Sequence, residues 1–190
     1  AYRSAGEEAP VLTERRTIEI HPPDAEGAYT MDWTCAFRAV REVVLDRTPL
    51  AGEPGGQVWG GYSGLSLRLA GNLEDRRATT SDGPIVAMPE DRYRGRHTAV
   101  DYSGLIGGRP EGVAILDHPD NPRSPTPWYV IRSAEMSFFS PAVLCYGPLT
   151  LRAGQGLILR YRVVAPPGPW DAVRLRAESG AFSGRRSGTK

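Results

Sequence analysis

The segment Asp117-His118-Pro119-Asp120-Asn121-Pro122-Arg123-Ser124-Pro125-Thr126-Pro127-Trp128 brings an acid, an imidazole, an amide and an indole together. Imidazole is the only side chain whose ordinary charge change falls near neutrality, so His118 is the first choice for a proton-transfer group. Asp117 beside it, and Asp101 in Val100-Asp101-Tyr102-Ser103-Gly104, are the carboxylates that could partner it if their strands are neighbours. Arg68 presents a planar fork of donors suited to a carboxylate or to sugar hydroxyls, and Asn121 is a second hydroxyl-orienting group. Trp59, Tyr62, Tyr102 and Trp128 stand at expected strand ends, where aromatic rings can stack on a sugar. The structural alternative is that Asp117 and Asn121 satisfy their own loop and that the rings belong to a core rim.

The remaining histidines are less promising. His21 precedes Pro22-Pro23 in an ordinary turn, and His97 opens a strand on the face of Ala99 and Asp101. No His, Cys or carboxylate spacing supports a metal site, and no cofactor is expected. Walker, Rossmann, nucleophile-elbow and His-Glu-x-x-His patterns are absent from the sequence.

The elements that must hold these groups are short strands. Gly112 to Leu116 is an apolar run that stops at Asp117, where prolines remove backbone donors and end the strand in a rigid loop. Such loops on a scaffold commonly carry function. Val11 to His21 alternates as a strand. Tyr29 to Leu45 holds two strand-length pieces, although Ala36 to Asp46 also fits a helix. Leu65, Leu67 and Leu69 alternate against Ser66 and Arg68, which turns Arg68 away from the leucine face. Asn72 to Gly83 reads as a polar loop or edge hairpin, and Ile85 to Met88, Thr98 to Tyr102, Trp128 to Arg132 and Ser137 to Phe139 as strands. Leu149 to Leu151 and Leu157 to Val164 suggest a closing hairpin. One helix is expected, from Trp170 to Glu178, with Asp171 near its start and Gly180 past its end. The expected fold is all-β, an antiparallel β-sandwich or supersandwich with one short C-terminal helix. It forms a single domain over residues 1–182, followed by a flexible tail over 183–190.

Composition narrows the partners. Among 190 residues the net charge is only +1, which provides no field for nucleic acid or an anionic membrane. No apolar stretch approaches the roughly 20 residues that span a bilayer, and a cytoplasmic location is expected. Cys35 and Cys145 lie in apolar contexts and read as free thiols, with one disulfide as the alternative.

Three motifs together resemble the DUF6807 family, whose members carry the label "methane oxygenase PmoA". They are Gly60-Gly61-Tyr62-Ser63-Gly64-Leu65-Ser66-Leu67-Arg68, Val100-Asp101-Tyr102-Ser103-Gly104, and Asp117 to Trp128. The resemblance implies a sandwich similar to the galactose-mutarotase supersandwich, with sugar bound on the concave sheet. It also implies an N-terminal half with a histidine-rich motif that nothing here matches. A tight partner is therefore expected: a second copy of this chain, or a complex with the missing half. The expected function is acid/base chemistry on a sugar or glycoside, of epimerase, lyase or hydrolase type. His118 would be the acid/base group, Asp101 or Asp117 its partner, Arg68 and Asn121 the orienting groups, and Trp128, Tyr62 and Tyr102 the sugar-binding rings. The alternative is a non-catalytic sugar-binding or structural subunit. A metal-dependent oxygenase comes last, because the chain lacks both a spanning segment and a dense histidine cluster.

Overall fold

Alternation of period two sends Val113, Ile115 and Asp117 to one face of a strand and Ala114 and Leu116 to the other. Both faces are covered, which explains why this strand reads as a continuous apolar run. The computed structural model describes residues 1–6, 8–166 and 168–184. Within them, β1 (Leu12–Ile20), β2 (Tyr29–Ala39), β3 (Val43–Leu45), β4 (Leu67–Arg68), β5 (Glu74–Thr80), β6 (Gly83–Pro84) and β7 (Arg92–Arg96) form the first half. The second half contributes β8 (Ala99–Ile106), β9 (Arg109–Asp117), β10 (Pro127–Arg132), β11 (Ser137–Pro141), β12 (Leu149–Leu151), β13 (Gly156–Ala165) and helix α1 (Ala172–Gly184).

A seven-stranded sheet runs in the order β1-β2-β13-β9-β8-β5-β6, and a four-stranded sheet in the order β4-β11-β10-β7. Every pairing between these named strands is antiparallel. The core lies between the sheets, where Val100, Tyr102, Ile115 and Tyr161 of the large sheet meet Trp128, Val130 and Phe139 of the small one. Each such side chain stabilises the fold by about 1.5–3 kcal/mol on burial. The outer face of the large sheet is closed by α1, whose Leu175 and Phe182, with the preceding Trp170, cluster with Ala99, Ala114 and Leu116. The all-β sandwich with a single C-terminal helix is thus the observed architecture.

Several boundaries differ from the sequence reading. Asp171 does cap α1, accepting the Arg174 amide at 2.8 Å, but the helix continues through Gly180 to Gly184. Burial of Phe182 against the sheet offsets the cost of an interior glycine, about 1 kcal/mol. Ser183 and Gly184 of the expected tail belong to this helix, and residues 185–190 lie outside the described residues. Of the two readings of Asn72 to Gly83, the edge hairpin is the one found: residues 74–80 form β5, paired with β6 at the edge of the large sheet, where Ala78 and Thr80 bury despite the flanking charges. The expected closing hairpin does not form: β12 pairs with β3, while β13 pairs with β2 and β9. Strand β7, which no apolar alternation announces, edges the small sheet. Cys35 and Cys145 are free thiols.

Candidate acid–base site

Strand β7 reads Arg-Tyr-Arg-Gly-Arg, so Tyr93, Gly95 and the following His97 share one face while Arg92, Arg94 and Arg96 take the other. The Tyr93 ring folds back over Gly95 and reaches His97. A side chain at Gly95 would collide with the Tyr93 hydroxyl and lie 3.0 Å from His97 Nε2, so the missing Cβ is what admits this contact. The Tyr93 hydroxyl is 2.6 Å from His97 Nε2, and His97 Nδ1 is 2.6 Å from Asp82 Oδ2. An ionised carboxylate only accepts, so Nδ1 carries a proton and donates to Asp82. In the neutral ring Nε2 is then free to accept from the phenol. The result is a carboxylate–imidazole–phenol chain, the arrangement in which a base is oriented by an acid and faces a proton donor.

The surroundings hold this chain still. The His97 amide donates to the Thr126 carbonyl at 3.2 Å, and its carbonyl accepts the Trp128 indole N–H at 2.7 Å. Asp82 sits in the turn between β5 and β6, where its amide donates to Thr80 Oγ1 at 3.1 Å. The His97 side chain is only 10% exposed, whereas Asp82 is 71% exposed, so the imidazole is sheltered and its carboxylate is hydrated. Asp82, Tyr93 and His97 line a cavity of about 250 Å³ with Thr80, Ile85 and Val86. Burial, reinforced by the negative charge of Asp82, raises the Tyr93 phenol above its ordinary value, so at rest it keeps its proton.

The residues singled out from the sequence fall into four separate places. Trp128 and Tyr102 are fully buried core rings packed on Phe139 at 6.4 and 5.8 Å, and no ligand reaches them without unpacking the sandwich. The indole N–H and the phenol are satisfied by the carbonyls of His97 and Ile131. Asp117 and Asn121 meet at the end of β9. Asp117 Oδ1 accepts from Asn121 at 2.7 Å, and its Oδ2 accepts the Thr126 amide at 3.0 Å. Asn121 also exchanges two 2.7 Å bonds with the Arg160 backbone, standing in for a strand residue where β9 stops pairing with β13. The rigid loop therefore splices the sheet end. Burial pushes the Asp117 carboxyl up to about 6 despite these bonds.

His118 points to the opposite face from Asp117, under α1. Its ring meets Phe182 edge-on at 5.1 Å, and its Nδ1 accepts the Asp120 amide at 3.2 Å. Burial holds this imidazole below its ordinary pKa. Asp101 shares that covered face but stands opposite Ala114, four residues up the strand from His118, or about 13 Å. Its Oδ1 accepts from Ser103 at 2.8 Å, its Oδ2 has no well-aligned partner among the described residues, and burial, opposed by Ser103, the Trp170 amide and Arg77, raises the carboxyl to about 6. The expected pairing of His118 with Asp101 or Asp117 is thus not assembled: alternation turns Asp117 to the other face, and four residues of strand part His118 from Asp101.

Arg68 and Tyr62 both lie on the outer face of the small sheet, separated by Phe138 and Tyr129, and the Arg68 guanidinium reaches the Glu135 carbonyl. Arg68 stands opposite Phe138, which packs edge-on against Tyr129 at 6.0 Å, and Tyr129 lies 6.4 Å from Tyr62. Tyr62 and Trp59, each 45% exposed, form a tilted pair at 6.2 Å. A larger apolar cleft of about 680 Å³, lined among others by Trp33, Cys35, Phe37, Leu65, Leu157 and Tyr161, lies elsewhere between the sheets and contains none of the candidate catalytic or sugar-binding residues.

Tyr93 and Asp82 were missed, and His97 was passed over. The available signal was Tyr-x-Gly-x-His at strand period, a glycine between two titratable residues on one face, preceded by an Asp-Gly turn.

Fold and site together define an antiparallel two-sheet sandwich with an acid–base chain at the edge of its smaller sheet. The chain belongs to DUF6807, a family of unknown function whose model matches residues 1–179. No curated protein and no solved structure matches it. Among the described residues no group of three or more His, Cys, Asp or Glu side chains is placed to hold a metal ion. No described helix is long and apolar enough to cross a membrane.

Proposed function

We propose that this chain catalyses proton transfer on a sugar or related polyol, with Asp82–His97–Tyr93 as the relay. The observation that carries this reading is the pair of 2.6 Å contacts joining carboxylate, imidazole and phenol at the wall of a cavity. Tyr93 passes its proton to His97 Nε2 as its oxygen takes one from the substrate, either a hydroxyl proton or a C–H proton beside a carbonyl. Asp82 stabilises the imidazolium that forms, and reversal of the two transfers returns the proton. Sugar as the substrate class rests on the resemblance to galactose-mutarotase-like sandwiches and on the cavity, which at about 250 Å³ is small for a ligand site and suits a single ring.

Incubating aldoses and ketoses with the protein in deuterated water, and following loss of carbon-bound protons by NMR, tests the proposal. The wild type should exchange a proton in at least one sugar, and Tyr93→Phe should slow that exchange by about a hundredfold or more. Exchange at the wild-type rate in Tyr93→Phe contradicts the assignment.

A second reading, sugar binding without turnover, is favoured by the exposed Trp59–Tyr62 pair. Tyr62→Ala would then abolish binding in a titration with saccharides, while variants of the relay would leave it intact.

A further inference from the structure

Strand β1 ends the seven-stranded sheet, and among the described residues only Tyr2 pairs with its outer edge, at Leu12. Leu12 turns its amide and carbonyl outward to Tyr2. By alternation Glu14, Arg16, Ile18 and Ile20 turn theirs outward as well, beyond the reach of Tyr2. Ile18 and Ile20 are 44% and 69% exposed, an open edge of the kind that recruits another strand. The opposite edge of the sheet is the two-residue β6, too short to do the same.

The charges on this edge select the occupant. Arg15, Thr17 and Glu19 share the outer face, and neither Arg15 nor Glu19 has an ion-pair partner among the described residues. Glu19 stands directly opposite Asp32, a like charge already engaged by Arg162 at 2.6 Å and His21 at 3.0 Å. We infer that β1 pairs antiparallel with β1 of a second copy, about a two-fold axis through Thr17. This register sets Arg15 opposite Glu19 of the second copy, twice, and gives Glu19 a cation that no described residue of its own chain supplies. Arg16 falls opposite Ile18 and Glu14 opposite Ile20, with outward backbone groups facing outward groups, as an antiparallel ladder requires.

Neighbouring registers lose this match. An axis through Arg16 sets Arg16 against itself, and one through Arg15 sets Arg15 against itself and needs the edge at Leu12 that Tyr2 occupies. An axis through Ile18 pairs Arg15 with His21 and Glu19 with Thr17. Only the Thr17 axis forms two opposite-charge pairs on free side chains, and it joins the two large sheets into one.

Sedimentation velocity on the full chain, with circular dichroism to verify folding, tests the inference. The wild type should dimerise in the micromolar range. Glu19→Arg should weaken the dimer about tenfold or more, since two attractive pairs become repulsive. The double swap Arg15→Glu/Glu19→Arg should recover wild-type affinity within about threefold. Ile18→Pro removes an outward-facing donor while leaving the β1–β2 ladder intact, and should give a monomer. A monomeric wild type, a double swap no tighter than Glu19→Arg, or a folded Ile18→Pro dimer would overturn it.

Discussion

His118 lies under α1 with its Nδ1 accepting a backbone amide, whereas His97 lies at a cavity wall with its Nδ1 donating to a carboxylate. Both are mostly buried and both follow a strand, yet their wiring is opposite. A neutral ring that accepts at Nδ1 must carry its proton on Nε2, and Asp120 Oδ2, 3.7 Å away, favours its charged form less than burial opposes it. A ring that donates at Nδ1 presents a bare Nε2, ready to take a proton, and holds a counter-charge for the imidazolium. A histidine's role is therefore set by what meets its second nitrogen, which the chemistry of the residue type alone does not reveal.

The comparison can be broken most directly by exchanging each ring for an amide. His97→Gln should cut proton-exchange turnover by about a hundredfold or more. His118→Gln should leave turnover within about threefold and instead lower stability by about 1 kcal/mol, the worth of its ring contact with Phe182. Equal kinetic losses in steady-state assays would erase the distinction.

Gly95→Ala sharpens it further. The new methyl occupies the space through which Tyr93 reaches His97, so the phenol must swing away at a cost of about 1–3 kcal/mol. Chemical denaturation should register that loss, with turnover falling as in Tyr93→Phe. No comparable notch protects His118, and crowding near it should affect stability alone.

The last contrast concerns Asp101, on the face that holds His118, and shows itself through pH. Its carboxyl is raised to about 6, so the folded state binds that proton more tightly than the unfolded chain does. The stability this confers is complete below the unfolded pKa near 4 and is lost as pH rises through about 6. Asp101→Asn escapes the loss: it should be more stable than wild type at pH 7.5, by up to about 3 kcal/mol, and no more stable below about pH 4. Thermal melts at the two pH values decide this, and a difference independent of pH would show that the buried charge is not the cause.

Much of the fold was legible because strands covered on one or both faces leave a periodic or continuous apolar trace. Ile115, Leu116 and Val163 are buried as such a trace implies, and Asp171 caps the helix it was expected to cap. Strand β7 left no such trace: its arginines occupy the outer face, where they bond carbonyls and Tyr129 and stack on Tyr129 and Tyr146. The loop from Asp117 to Trp128 was legible as rigid, but rigidity did not say what it holds. Asn121 and Asp117 lock a sheet end, and Trp128 seals the core. A strand-end position suggests Tyr102 as a sugar-stacking ring, because it reveals nothing about the sheet that covers it. The relay depends on Asp82 and Tyr93, brought together from a turn and a different strand, and only tertiary structure supplies that meeting.

Long-range proton–nitrogen correlation NMR of the three imidazoles, at a pH where they are neutral and with His97→Gln and His118→Gln for assignment, tests the central claim most directly. Opposite tautomers are expected, with the proton of His97 on Nδ1 and that of His118 on Nε2. A His97 protonated on Nε2, or the same tautomer in both rings, would contradict the relay.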